Sequence, residues 1–148
     1  MISEVSVSAE TVAGDLRRAL LRLARELRKE TEQLGVTSRQ VTLLWLVRSR
    51  PGLSLTELAA EEGITTPALS GHVDRLERAG LIERVRSEED RRRVGLTLTA
   101  EGARLLRRVR SRRTTWLAER LRALEPGELE AVAAALPALE QLLAESET

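Results

Sequence analysis

The chain has 148 residues, of which 42% are hydrophobic and 32% charged, a balance typical of a single globular domain. It contains no cysteine, so disulfide bonds, thiolate zinc sites and cysteine redox sensors are excluded, and a formal net charge of +1 does not by itself indicate a nucleic-acid partner. No apolar run reaches membrane-spanning length and residues 1–10 are too polar for a signal peptide, so we expect a cytoplasmic protein without membrane contact.

Two helices are predicted before residue 52. Residues 1–11 are expected to form a flexible leader, and from about Asp15 leucines recur at the spacing of a helix that Gly35 ends. These leucines are Leu16, Leu20, Leu23 and Leu27. The segment Thr37–Gln40 fits a capping box that begins a second helix, and Pro51 ends that helix. Its candidate core residues are Val41, Leu44, Trp45 and Val47.

The next two helices have the size of a helix-turn-helix motif. Ser54–Glu57 fits another capping box, and the short helix that it begins is closed by Gly63. Thr66 and Pro67 fit the N-cap and the first position of a fourth helix, where a missing N–H costs no hydrogen bond. This helix is predicted to end before Gly80.

Residues 81–98 are predicted to form a β-hairpin. Strand character runs from Leu81 to Arg86, and Val94–Leu98 alternates at the period of a half-buried strand. The connecting loop, Ser87–Arg93, is densely charged, and we call it the wing. A hairpin that directly follows a helix-turn-helix motif is typical of a DNA-binding winged helix.

Two further helices are predicted after the hairpin. Thr99 caps a fifth helix that extends to about Leu124, and Pro126 begins a sixth helix in which Pro137 predicts a kink or a break. The sixth helix carries a coiled-coil-like stripe formed by Leu129, Val132, Leu136, Leu139 and Leu143. The fifth helix is rich in arginine and the sixth in acids, which favours pairing of the two within or between chains, or two separately solvated faces.

The fourth helix is the candidate DNA-reading helix. On a helical wheel Leu69, Val73 and Leu76 share a core-facing side, and the opposite side presents small residues and arginines. Small residues let the backbone approach base edges, while an arginine can bind guanine or phosphate. The free N–H groups at the start of the helix can bind phosphate. The alternative is an ordinary surface helix with an Asp74–Arg78 pair.

The wing is the second candidate DNA contact. Asp90 can accept from nearby N–H groups and brace Arg92, and a braced arginine suits a narrow minor groove with its enhanced negative potential. The alternative is a solvated hairpin tip. The predicted DNA-binding residues are Thr65, Thr66, Pro67, Ser70, Gly71, Asp74, Arg75, Arg78, Asp90, Arg91, Arg92 and Arg93.

Two motifs in this region resemble the MarR family of winged helix-turn-helix regulators. The first is Leu69–Arg84, LSGHVDRLERAGLIER, and the second is Asp90-x-Arg92 followed by Leu98-Thr99-x-x-Gly102. The order of the helices agrees as well, so the resemblance covers roughly residues 12–145. It implies a mainly α fold with a small β-hairpin wing and about six helices. Residues 37–99 would be the DNA-binding winged domain, and residues 12–36 and 100–146 a helical dimerisation region.

The resemblance also implies partners. It predicts a homodimer whose first, fifth and sixth helices intertwine, bound to a pseudo-palindromic operator in double-stranded DNA with half-sites about one helical turn apart. The wing arginine of the family maps onto Arg92. Many members lose DNA affinity when a small aromatic, lipophilic or anionic ligand binds. Candidate pocket residues here are Trp45, His72 and Trp116, although such residues more often serve packing.

We therefore expect a dimeric sequence-specific transcriptional regulator, a repressor relieved by a small-molecule ligand. The alternatives are a ligand-independent DNA-binding regulator and a helical protein-interaction module. An enzyme is disfavoured, since the chain has one histidine, no cysteine and no tyrosine. It also lacks a glycine-rich phosphate loop and residues at metal-ligand spacing, so no catalytic residue, cofactor or metal site is predicted.

Overall fold

The computed structural model describes residues 7–144, which form six helices and one two-stranded antiparallel sheet. In chain order the elements are α1 (Ala9–Glu32), α2 (Ser38–Ser49), α3 (Leu55–Glu62), α4 (Thr66–Arg78), β1 (Ile82–Arg86), β2 (Val94–Leu98), α5 (Ala100–Arg122) and α6 (Pro126–Ala144). This order confirms the predicted fold class. The chain divides inside α5 into two compact units, with Arg112 the last residue of the first unit.

The first helix begins earlier than its leucine spacing indicates. The Ser8 hydroxyl accepts a hydrogen bond from the Thr11 N–H at 3.2 Å, so Ala9 is already helical. Residues 9–11 of the expected leader therefore belong to α1, and residues 1–6 lie outside the described part of the chain. The apolar pattern misses this first turn because its side chains are exposed to solvent.

Hydroxyl caps begin the three helices of the winged domain. At α2 the capping box is complete, since Thr37 accepts from the Gln40 N–H at 3.1 Å and Gln40 accepts from the Thr37 N–H at 2.9 Å. At α4 the N-cap is Thr65 and not Thr66 as predicted. Thr65 has extended backbone angles and accepts from the Ala68 N–H at 3.3 Å, whereas Thr66 is the first helical residue.

The hairpin is joined closely to the elements on either side of it. Its strands pair from Ile82 opposite Leu98 to Arg86 opposite Val94, which leaves the wing as the connecting loop. At its base the Thr99 N–H donates to the Leu81 carbonyl at 3.1 Å. The next turn of α5 packs so tightly there that a Cβ on Gly102 would lie 2.3 Å from the same carbonyl oxygen. The hairpin base therefore has little room to move against the start of α5.

The core of the first unit is aliphatic, as the shortage of aromatic residues requires. Leu69, Val73 and Leu76 are fully buried, which confirms the predicted inner side of α4. In α2 the pattern is only partly as predicted, since Leu43 is buried and Trp45 lies half-buried at the edge of the core. The bulk of Trp45 is accommodated better at this edge than inside a core of leucine and valine.

Helix α6 is continuous through Pro137, so the predicted break is wrong, and the predicted kink stays a prediction. The proline removes one backbone N–H donor, and the residues after it still continue the helix as far as Ala144. None of the described residues of α6 is buried, and Leu136 and Leu143 are 51% and 68% exposed. Within residues 7–144 no helix is both long and apolar enough to cross a membrane.

Candidate nucleic-acid interface

The start of α4, the positive end of the helix, lies at the surface. The Thr65 cap satisfies one N–H group of the first turn, and Pro67 has none to satisfy. Thr65 and Pro67 are exposed, and Thr66 is half-buried between them. Because helix N-termini attract anions, this turn can bind a phosphate.

The outer side of α4 combines an open glycine with two exposed arginines. Gly71 is exposed, and no atom lies within 4 Å of a Cβ built on it. Arg75 has one guanidinium nitrogen 3.2 Å from Nδ1 of His72, and Arg78 donates from Nε to the Asp74 carbonyl at 3.4 Å. Neither contact uses a carboxylate, so both guanidinium groups keep donors for DNA. Ser70, half-buried, lies beside Gly71.

Asp74 does not form the ion pair that the sequence suggested. Its carboxylate accepts a hydrogen bond from the Arg84 guanidinium at 2.7 Å, and Arg84 also binds Glu77 at 2.7 Å. Arg84 lies on β1, so this contact is tertiary and the i,i+4 spacing of Asp74 and Arg78 could not reveal it. The Asp74–Arg78 ion pair named in the surface-helix alternative is thereby wrong, whereas the choice between an ordinary surface helix and a DNA-reading helix stays a prediction.

Hydrogen bonds inside the wing fix its backbone. The Asp90 carboxylate accepts from the Arg92 N–H at 3.0 Å, and the Asp90 carbonyl accepts from the Arg93 N–H at 2.9 Å. The Ser87 N–H donates to the Arg93 carbonyl at 2.9 Å, which closes the loop. The predicted bracing by Asp90 thus acts on the Arg92 backbone. Among the described residues, the guanidinium groups of Arg91 and Arg92 have no ion-pair or hydrogen-bond partner.

Arg93 has a different role from its two neighbours. Its guanidinium binds the Glu57 carboxylate on α3, which holds the wing against the helix-turn-helix motif. Glu57 therefore does not complete the predicted capping box, although Ser54 still accepts from its N–H at 3.2 Å. Sequence reasoning missed this pair, because a capping box already explains a glutamate at the third position of a helix.

The three candidate ligand-pocket residues have separate partners. Arg48 lies over the Trp45 ring at 5.2 Å, Arg120 lies over the Trp116 ring at 4.0 Å, and His72 contacts Arg75. A pocket shared by the three residues stays a prediction. No group of three or more potential metal ligands occurs in residues 7–144.

Two arginines of α5 pair with partners outside α6. Arg112 donates from Nε to Glu30 at 2.8 Å and also binds Gln33, so it joins α5 to the end of α1. Arg104 binds Glu101 one turn earlier in the same helix. Pairing of the basic fifth helix with the acidic sixth helix, within or between chains, stays a prediction.

Comparison with known proteins gives a consistent result. A family model described as "MarR family" matches residues 36–94, which contain the helix-turn-helix motif and most of the hairpin. The chain is 31% identical to the uncharacterized HTH-type transcriptional regulator YfiV of Bacillus subtilis, over 77% of this chain and 71% of that protein. It is also 31% identical to the HTH-type transcriptional repressor MdtR of the same organism, over 64% of each chain.

A solved structure extends the likeness to the whole fold. A putative transcriptional regulator from Pseudomonas aeruginosa superimposes with a TM-score of 0.76 at 30% identity. The match covers 92% of this chain and 97% of that one, so it includes the flanking helices as well as the winged domain.

Proposed function

Because this chain belongs to the MarR family of transcriptional regulators, we propose that it binds double-stranded DNA as a homodimer, with α4 in the major groove and the wing in the minor groove. Its relatives are regulators of transcription, so the chain is not an enzyme. The relatives named above come from a bacterium, in which DNA lies in the cytoplasm, and this is the location we propose.

The observation that carries the proposal is the state of the arginines on one winged domain. Arg91 and Arg92 have no protein partner among residues 7–144, although the backbone that carries them is fixed by hydrogen bonds. A rigid loop with free guanidinium groups loses little conformational freedom when it binds an anion. Arg75 and Arg78 lie on the exposed side of α4, where they are available to base edges and phosphates.

Exposed apolar side chains support the proposed dimer. Leu20 and Leu21 on α1 are 48% and 57% exposed, and the leucine stripe of α6 has no buried residue. Helices with such stripes bury them against other helices, and a second copy of the chain offers matching stripes. Two winged domains held at a fixed separation would then bind half-sites about one helical turn apart.

Repression and relief by a ligand complete the proposal. A dimer bound over a promoter excludes polymerase, and the related protein MdtR is named a repressor. A small aromatic or lipophilic ligand that favours another separation of the two winged domains would shift the population away from DNA. A thermal-shift screen of phenolic acids and lipophilic drugs tests this part. If the screen finds no binder while DNA binding is intact, the ligand-independent alternative is favoured.

The central experiment compares wing variants on DNA fragments selected from the source genome. Arg92→Ala should weaken binding on every fragment and lower the slope of log K against log salt by about one per lost phosphate contact. Arg110→Ala is the matched control, since it removes the same charge from an exposed position on α5. Equal affinities of Arg92→Ala and the parent chain at several salt concentrations would contradict the wing assignment.

Two further measurements separate the parts of the proposal. Arg75→Ala and Arg78→Ala should relax base preference by roughly 1–3 kcal/mol where the parent contact is bidentate to guanine. Sedimentation should give twice the mass of one chain, and Leu136→Glu should lower that mass. A stable monomer that binds no DNA and retains a salt-insensitive protein partner would favour the interaction-module alternative.

A further inference from the structure

We propose that Arg84 is a positioning residue for DNA binding, because it fixes β1 to α4 and pairs with two carboxylates that would otherwise repel the DNA backbone more strongly. The inference rests on the proposed DNA-binding function and assigns Arg84 a part in it. The residue lies outside the predicted DNA-binding set, and it acts through Asp74 and Glu77.

The geometry of the contact is that of a fork between two acids. One terminal nitrogen of Arg84 donates to Asp74 at 2.7 Å, and the other donates to Glu77 at 2.7 Å. The Arg84 side chain is 33% exposed, so solvent screens the contact only in part. The hydrogen bond that Arg84 donates to Asp74, followed by the charges of Glu77 and Asp74, raises the pKa of Arg84 above its ordinary value against the opposing effect of burial.

The position of the two acids makes their pairing with Arg84 important for DNA binding. Asp74 and Glu77 alternate along α4 with Arg75 and Arg78, which are the arginines proposed to contact DNA. An unpaired carboxylate within one turn of these arginines would repel phosphate or bind an arginine itself. Arg84 holds both carboxylates towards β1 and leaves the neighbouring guanidinium groups free of carboxylate partners.

The same contact also fixes the orientation of the hairpin. Arg84 stands opposite Leu96 in the two-stranded sheet whose loop is the wing, so a bond from Arg84 to α4 joins the wing to the DNA-reading helix. Arg93 makes the corresponding contact from the loop to α3. The two ion pairs add to the backbone hydrogen bonds that hold the hairpin, among them the one from the Leu96 N–H to the Leu53 carbonyl at 3.1 Å. Together these contacts limit movement of the wing relative to α4.

A direct phosphate contact by Arg84 is the competing assignment. Both terminal nitrogens already donate to carboxylates at 2.7 Å, whereas Arg91 and Arg92 have no such partner among the described residues. A phosphate would have to displace a carboxylate to bind Arg84, whereas it could bind the wing arginines without displacing any partner. The positions of the two carboxylates therefore favour a positioning role for Arg84 over a direct phosphate contact.

The test is a set of charge-matched variants measured by fluorescence anisotropy on a selected operator. Arg84→Met should weaken DNA binding by roughly tenfold, since it leaves the carboxylates of Asp74 and Glu77 without their cationic partner. Adding Asp74→Asn restores the parent net charge and removes one of the two unpaired carboxylates, so it should recover part of the loss. Adding Glu32→Gln restores the same net charge at an exposed position on α1 and should recover none of it.

Each alternative gives a distinct result. If Arg84 binds phosphate directly, Asp74→Asn gives no rescue and Arg84→Met lowers the salt slope by about one per protomer, which overturns the inference. If Arg84 serves only folding, the melting temperature falls and both double variants bind equally weakly, which also overturns it. Parent protein and Arg92→Ala are measured in parallel. If the parent protein binds no DNA, the proposed function is wrong. If Arg84→Met binds DNA as tightly as the parent protein, only the inference about Arg84 is wrong.

Discussion

Replacing glycine by alanine is predicted to stabilise the protein at one helical glycine and to destabilise it at another. Gly71→Ala and Gly102→Ala each replace a helical glycine, and alanine is favoured over glycine in a helix by about 1 kcal/mol. At Gly71 nothing lies within 4 Å of the added Cβ, so the gain is realised in full. Gly71→Ala should therefore raise the melting temperature by roughly 2–4 °C.

At Gly102 the added Cβ meets backbone. It would lie 2.3 Å from the Leu81 carbonyl oxygen, and because comfortable contacts are about 3.5 Å, α5 would have to move by about 1 Å. That shift strains the hydrogen bond from Thr99 to Leu81 at 3.1 Å and the one from the Thr99 hydroxyl to Gly80. Overpacking costs about 1–3 kcal/mol and each weakened bond about 1 kcal/mol. After the helix gain we expect a net loss of about 2–4 kcal/mol.

The assay is thermal unfolding followed by circular dichroism. All proteins are compared at one concentration, because the stability of the proposed dimer would depend on it. Gly102→Ala should melt roughly 5–15 °C below the parent chain. If both variants shift in the same direction, the reasoning from Cβ clearance is refuted. Gly71→Ala gives a second check, since it should be more stable and yet bind DNA more weakly if the backbone at Gly71 approaches base edges.

Three further substitutions test single contacts. Glu57→Gln removes the carboxylate that binds Arg93 and loosens the wing, so operator affinity should fall several-fold. Stability should change by less than about 1 kcal/mol, as for other exposed ion pairs. Tighter DNA binding by this variant would instead assign Arg93 to a DNA contact. Pro137→Ala restores a donor for the Ala133 carbonyl and should raise stability by up to about 3 kcal/mol in urea unfolding. Thr37→Ala removes a capping box and should lower stability by about 1 kcal/mol, and an unchanged urea midpoint would contradict the role of the cap.

The predicted site and the structure agree where the signal is local. The period of Leu69, Val73 and Leu76 defines the buried side of α4, and burial of these three leaves Gly71 and Arg75 on the outside. The bracing of the wing by Asp90 was also predictable, since its partner N–H is only two residues away. Contacts over such short separations follow from backbone geometry alone.

The errors occur where two candidate partners compete. The alternative interpretation of α4 paired Asp74 with Arg78 at i,i+4, and Glu57 was predicted to complete a capping box. Both acids are instead bound by arginines from the hairpin. A local partner and a distant one are chemically equivalent in the sequence. The forked Arg84 donates to two acids at once, which a single i,i+4 pair cannot match.

The sequence by itself determined the order of the helices, the hairpin and the inner side of α4, because periodicity, caps and glycine stops act within a few residues. Only the tertiary structure decided which arginines are free for DNA. Arg84 and Arg93 bind carboxylates, whereas Arg91 and Arg92 have no such partner within residues 7–144, and the four look alike in the chain. The reason is physical: an ion pair depends on where distant carboxylates lie in space, and folding alone brings Glu57 to the wing and Asp74 to β1.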